Sequence, residues 1–258
     1  RNLRAIYNKA IAHKYICRPI YENPFSGTYT GVTKTMKRSL SLKELQKISG
    51  IDFTLLLQKA HQEKLDYKYL SNLEKAQRYF LFSFYARGMS FVDVAYLKKD
   101  NISGGFIRYV RKKTGRQMEI RITPEIHQII NSFKKEVEKS IYVFPLITDT
   151  KTNRMKECEV RFQYESALRV HNNRLKKISQ LAEISKPISS HWARHTWATI
   201  GKQENIPLQV LSECLGHSSE KTTLIYLGQL DNSLLDAANQ LISSTVNKQT
   251  SSLPLFYP

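Results

Sequence analysis

The stretch from Leu73 to Arg87 limits what this chain can fold into more than any other. Leu73, Ala76, Gln77, Phe80, Leu81, Phe84 and Tyr85 recur at helical spacing and leave the segment almost wholly apolar. A helix carries such a pattern only when neighbours cover most of its circumference. It is therefore expected at the centre of a helical core, with Gly88 ending it. Ser90 and Asp93 follow at capping-box spacing, which predicts a second short helix over FVDVAYL.

The one clear sheet signal comes next. FIRYVRKKTGRQMEIRIT reads as two alternating strands around Thr114 and Gly115. With those two residues as the loop, Lys113 faces Arg116, Arg111 faces Met118, Tyr109 faces Ile120 and Ile107 faces Ile122. One face is then apolar at its base and doubly cationic at its tip, while Arg108, Lys112, Gln117, Glu119 and Arg121 form a polar face. A slip of one residue would mix the two. Thr123 and Pro124 start a helix with Ile126, Ile129, Ile130, Phe133 and Val137 inward. A long helix with a basic outer face is expected from about Glu159 to Ile184. The fold class is mainly α with a small antiparallel β-hairpin, an α+β arrangement.

Upstream, Leu3, Ile6, Tyr7, Ala10, Ile11 and Tyr15 space a helix over residues 1–16 that begins without an N-cap, like the last helix of a longer unit. A polar, basic linker with Pro19, Pro24, Gly27 and Gly31 separates it from a new unit, opened by Ser41 and Glu44 at capping-box spacing.

Composition narrows the partner. The formal net charge is +18 over 258 residues, a field that favours a polyanion, of which nucleic-acid phosphate is the commonest. Cys17, Cys158 and Cys214 are far apart and odd in number, which excludes a disulfide framework or a CxxC metal site and fits a reducing cytoplasm. No apolar run approaches the roughly 20 residues that span a bilayer, and RNLRAIYNKA lacks a signal peptide's apolar core. A soluble intracellular protein is expected.

The chemistry concentrates between Ser189 and Tyr226. Ser189 or Ser190 caps a helix on which His191, Arg194 and His195 share a face at i, i+3 and i+4. Pro207 opens another helix, with Leu208, Leu211 and Leu215 inward and Gly216 at its end, so His217 stands just past a tight turn. Nine residues further on is Tyr226. These types suit phosphoryl transfer. Arginine neutralises a phosphate with paired donors, histidine moves protons near neutral pH, and a tyrosine needs cations beside it to act as a nucleophile.

SHWARHTWAT, LGHSSEKTTLIY and the lysine of KKTG together resemble the tyrosine recombinase (phage-integrase) family. The family's HxxR box matches His191 and Arg194, its LGH matches His217, its nucleophile matches Tyr226 and its hairpin lysine matches Lys113. The resemblance covers roughly Ser39 to Leu241. It implies a last helix of a truncated core-binding domain over 1–26, a linker over 27–38, a catalytic domain over 39–243 with a C-terminal helix from about 230, and a tail over 244–258. It further implies that Tyr226 attacks double-stranded DNA and becomes joined to a 3′ phosphate, releasing a 5′ hydroxyl that Lys113 protonates. Arg194 would clamp the phosphate, His191 would do acid/base work on Tyr226, and His217 would hydrogen-bond the phosphate. Lys112, Arg108, Lys34, Lys37 and Arg38 are the expected DNA-backbone contacts. No metal or cofactor is required. Family members act as homotetramers on two duplexes at specific recombination sites, exchange a C-terminal helix (here LDNSLLDAANQLI), are monomers when free, and some use an accessory host DNA-bending protein. The expected setting is the nucleoid of a bacterial cytoplasm, in integration or inversion of a mobile element.

One position departs from the family. Its usual first catalytic arginine falls on Ser90 when Asp93 is aligned with the family's acidic residue, a form shared with a branch resembling conjugative-transposon integrases and phase-variation invertases. Arg116, facing Lys113 across the expected hairpin tip, is the favoured replacement, and Arg87, one turn before Ser90, the less favoured one.

Each residue alone has an ordinary reading: Ser90 as an N-cap, His195 as a buried structural histidine, Lys113 as a solvated hairpin lysine, Tyr226 as one of 14 tyrosines. Their joint order and spacing carry the enzyme reading. Its alternatives are a DNA binder that has lost catalysis, a type IB topoisomerase, and a zinc hydrolase built on His191, His195 and His217, which lacks the Glu of HExxH.

Overall fold

A computed structural model describes residues 2–16, 24–25, 38–62, 66–148, 155–217 and 223. Two compact units divide the chain, residues 1–37 and 38–258. In the first, helix α1 (Asn2–Ala12) carries Arg4, whose Nη2 donates to the Phe25 carbonyl at 2.7 Å while Tyr7 meets the Phe25 ring edge-on.

The second unit is built around the apolar helix. Helices α2 (Leu42–Ser49) and α3 (Phe53–Gln62) precede α4 (Tyr67–Tyr85), which packs against α3, α6 (Pro124–Phe133), α7 (Glu157–Leu181) and α8 (Ser190–Gln203). That many neighbours explain why α4 buries Leu73, Ala76, Tyr79, Phe80 and Phe82, covering more than one stripe. Its one buried amide, Gln77, is satisfied by the Ile48 carbonyl at 2.6 Å, which ties the end of α2 to the core. The expected capping boxes behave unequally. Ser41 and Glu44 cap α2 reciprocally, and Thr123 caps α6 with Pro124 in its first turn. Ser90 makes no side-chain cap to α5 (Phe91–Ala95) and turns its hydroxyl to Asp93 instead.

The sheet has three strands, β1 (Ile102–Ser103), β2 (Phe106–Val110) and β3 (Gln117–Arg121), in the order β1-β2-β3. The register expected from the sequence is off by two residues: Ile107 pairs with Ile120, Tyr109 with Met118 and Val110 with Gln117. An even slip keeps every side chain on its face, so Ile107, Met118 and Ile120 are still buried. The tip is what changes. Arg111 N–H donates to the Arg116 carbonyl at 2.8 Å, and Lys112, Lys113, Thr114 and Gly115 form a four-residue loop. Arg116 therefore faces Arg111, not Lys113. Strand β1 was not anticipated; Gly104 and Gly105, both at positive φ, make the tight two-residue turn into β2.

Helix α7 runs into α8, whose first turn is capped from outside: Asn172 Oδ1 on α7 accepts from Ser190 N–H at 2.9 Å. Helix α9 (Leu208–Leu215) ends at Gly216 in the left-handed conformation, and His217 N–H returns to the Ser212 carbonyl at 3.0 Å. This Schellman closure fixes the direction in which His217 leaves the helix.

Candidate active site

Three guanidinium groups converge on the C-terminus of α9. Arg194 on α8 donates from Nη2 to the Leu215 carbonyl, Arg111 from Nη1 to the Gly216 carbonyl at 2.7 Å, and Arg116 from Nη1 to the His217 carbonyl at 2.9 Å. A helix end leaves carbonyls unmatched and carries partial negative charge, so cations gather there. Here three successive carbonyls each receive an arginine from a different point of the chain. The hairpin and α8 are thus joined through α9.

Arg194 is 4% exposed and also donates from Nη1 to the Gly88 carbonyl at 2.9 Å. The turn after α4 comes this close because residue 88 has no side chain: a Cβ there would lie 2.9 Å from Arg194 Cα. Arg194 Nη2 further meets His217 Nε2 at 3.1 Å, and His217 Nδ1 meets Thr223 Oγ1 at 2.8 Å. His191 is exposed at the start of α8 and its ring stands 5.8 Å from that of His195.

The histidines experience a dense positive field. Burial, then Arg194, Arg111 and Lys113, pull His217 down to about 4. Burial, followed by His191, Arg38 and Arg194, pulls His195 down to about 4. His191, exposed as a residue but with its ring partly covered, is lowered by the same kinds of cause, that partial burial first and then Arg194, Lys113, Arg38 and Arg111. At neutral pH all three are uncharged, chiefly because burial disfavours the charged ring and further because cations lie nearby. Tyr109 sits in the same field, yet burial and Asp93 push its phenol upward. It stays protonated and is a poor nucleophile.

The structure sorts the expected residues. Arg194, His191 and His217 come together, and Lys113, exposed in the hairpin loop, acts electrostatically on both histidines. Arg116 is drawn to Glu213 at 3.3 Å as well as to the His217 carbonyl. Arg87 adopts a positive φ and donates to the Glu119 carbonyl at 3.2 Å. Lys112 lies over the Tyr96 ring at 4.4 Å, and Arg108 pairs with Glu119 at 2.5 Å. Arg38 is exposed and its charge reaches His191 and His195. Tyr226, Lys34, Lys37 and the 230–243 helix lie outside the described residues. Both ring nitrogens of His217 are engaged, which removes the third ligand that a zinc site with His191 and His195 would need.

Two residues were missed. Arg111 was expected only opposite Met118 on the hairpin face with the apolar base, with no part in the site, although its strand parity with Ile107 and Tyr109 pointed it inward. Asp93 was read as a helix-cap partner; its Oδ2 accepts from Ser90 Oγ at 2.5 Å and its Oδ1 from Lys112 N–H at 2.8 Å, with the residue 3% exposed. It fastens the hairpin tip to α5.

The model of the phage integrase family matches residues 56–233, more than half of the chain and all of the site described above except Arg38. This chain belongs to the phage integrase family. Among curated relatives, a tyrosine recombinase of Pseudothermotoga lettingae is 32% identical over 85 residues, 31% of this chain and 30% of that protein. One of Thermosipho africanus is 36% identical over 67 residues, 26% of this chain and 24% of that protein. The matched stretch thus spans less than a third of either relative. Among solved structures, a dimer of lambda integrase bound to a core site aligns with a TM-score of 0.55 at 16% identity, over 89% of this chain and 72% of that one. The Tn1549 transposon integrase in complex with transposon right end DNA aligns at 0.55 and 15% identity, over 93% and 76%. At such identities the phage integrase fold is what is shared. Among the described residues no helix is long and apolar enough to cross a membrane.

Proposed function

We propose that this chain is the catalytic part of a site-specific tyrosine recombinase that breaks and rejoins double-stranded DNA, using Tyr226 as the nucleophile. The observation that carries the reading is the cluster at the end of α9: Arg194 meets Nε2 of the buried His217 at 3.1 Å, Arg111 takes the adjacent Gly216 carbonyl at 2.7 Å, and the charge of Lys113 acts on the same imidazole. A site with that much positive charge around neutral hydrogen-bonding rings suits an anion that arrives with the substrate, and a phosphodiester is the anion the family acts on. Thr223, held against His217, is three residues before Tyr226. Three residues of extended chain span at most roughly 10 Å between Cα atoms, a separation compatible with the proposed role of Tyr226.

In the proposed step the Tyr226 oxygen attacks the scissile phosphorus. A Tyr226 O–P bond forms as the bond from phosphorus to the 5′ oxygen breaks. The phenol proton passes to His191, whose neutral ring at pH 7 can accept it. Lys113 gives a proton to the departing 5′ oxygen. Arg194 donates to the non-bridging oxygens, where charge builds up, and His217, accepting from Arg194 through Nε2, holds that guanidinium in place. The phosphotyrosine conserves the energy of the diester, so the reverse attack by a 5′ hydroxyl reseals the strand. The reading needs no metal or cofactor. It extends to homotetramers formed on two sites through the C-terminal helix, to monomers in the free state, and to integration or inversion of a bacterial mobile element, as suggested by the family and by the integrase of a transposon among proteins of similar fold.

The test is a duplex with a nick just beyond the cleavage site, which traps the covalent product because the short 5′ fragment diffuses away. Intact protein should yield an adduct stable to denaturation, and Tyr226→Phe should yield none. Binding without any adduct would favour a recombinase-like protein that has lost catalysis. Relaxation of a plasmid lacking a recombination site would favour topoisomerase action.

A further inference from the structure

We infer that Arg111, on the hairpin strand, is the second phosphate-binding arginine of this site and takes the place that Ser90 leaves without a guanidinium. The inference rests on the recombinase reading above. Ser90 carries no charge, and its hydroxyl is occupied by Asp93. The other oxygen of Asp93 accepts from the amide of Lys112, the residue directly after Arg111. The helix position and the strand position are thus coupled through one buried carboxylate. Strand parity turns Arg111 to the same face as Ile107 and Tyr109, and there it lies across the end of α9, with Cδ 3.3 Å from where a Cβ of Gly216 would be. A side chain at 216 would push it away. Its charge reaches both His191 and His217.

Arg111 is 5% exposed, and its Nη1 donates to the uncharged Gly216 carbonyl. Its Nε is buried with no hydrogen-bond partner, and no carboxylate pairs with it among the described residues. A buried cation left with an unused donor is costly unless an anion completes it. Beside Arg194 and His217, that anion is the scissile phosphate. The two other arginines in range are differently placed: Arg116 is held by Glu213 and Arg87 by the Glu119 carbonyl.

The experiment compares cleavage of the nicked duplex with that of the same duplex carrying a methylphosphonate at the scissile position, which removes the negative charge the arginine is said to neutralise. Arg111→Gln keeps a donor for the Gly216 carbonyl but no charge, and Arg111→Lys keeps the charge without the planar fork. On the phosphodiester, Arg111→Gln should lose roughly 100-fold or more in adduct formation and Arg111→Lys less, with duplex affinity and melting temperature near wild type. On the methylphosphonate, Arg111→Gln should recover close to the wild-type rate on that substrate. A defect that persists on the neutral substrate makes Arg111 a structural residue and overturns the assignment, as does recovery by Arg116→Ala in its stead. A wild-type protein that forms no adduct on the phosphodiester overturns the recombinase reading, and the assignment with it.

Discussion

Arg194 reaches His217 through Nη2 and Nε2 at 3.1 Å, while Nδ1 of the same ring meets Thr223 Oγ1 at 2.8 Å. A guanidinium only donates, so Nε2 must accept and the ring proton sits on Nδ1, donated to the threonine. His217 is thus locked as one neutral tautomer, in keeping with a pKa pulled down to about 4 by burial and cations. Nitrogen-detected NMR at pH 7 should show the Nδ1–H tautomer. Thr223→Val strands a buried donor and should cost about 1–3 kcal/mol of stability, with the Nδ1 resonance shifting as its acceptor is lost while Arg194 keeps the tautomer. Unchanged nitrogen shifts would sink the account.

Acid should destabilise this protein earlier than a chain of ordinary histidines. His217 and His195 are pulled to about 4 and His171 to about 3, each chiefly by burial. With folded values below the unfolded value of 6.5, the unfolded chain binds more protons between those limits. Stability is therefore full above pH 6.5 and is lost as pH falls toward 4, by at most about 1.4 kcal/mol per pH unit for each histidine. His171 stacks on Phe91 at 4.4 Å, so His171→Phe should flatten the profile of melting temperature between pH 7 and pH 5. A variant as acid-sensitive as the parent would contradict the assignment of His171 to that loss.

Asp93 spends both oxygens on fastening the hairpin, one on Lys112 N–H and one on Ser90 Oγ. Asp93→Ala removes both acceptors and should cost about 2–3 kcal/mol, the range for charge-assisted bonds. Hydrogen exchange of the Lys112 amide should accelerate by more than the global loss of stability explains, because the loop loses its local anchor. Parallel losses at all amides would mean that Asp93 serves only the core.

Gly88 combines a φ of +67° with the approach to Arg194. Gly88→Ala should cost about 1–2 kcal/mol for the left-handed backbone alone, plus the clash with Arg194. Since Gly88 also presents the carbonyl that Arg194 Nη1 uses, its cleavage rate should fall more than its duplex affinity. Gly104→Ala, with open space around its Cβ and a similar φ, is the control: it should lose stability without that selective loss of rate.

The sequence by itself determined the elements and their faces. The apolar run of α4, the Ser41–Glu44 box, Thr123-Pro124 ahead of α6 and the HxxR spacing on α8 are local periodicities. Local periodicity survives folding because the backbone repeats every 3.6 or 2 residues whatever lies around it. The hairpin shows where this stops. Its faces were legible, but its loop holds four residues instead of two, and an even slip leaves no trace in a two-residue repeat. β1 was announced only by Gly104-Gly105, too short a strand to show alternation. Which guanidinium meets His217, and which carbonyl each arginine takes at the end of α9, depended on residues more than twenty positions apart. Only tertiary structure decided that, because a buried charge is placed by the donors and acceptors around it in space, and the chain order does not encode their distances.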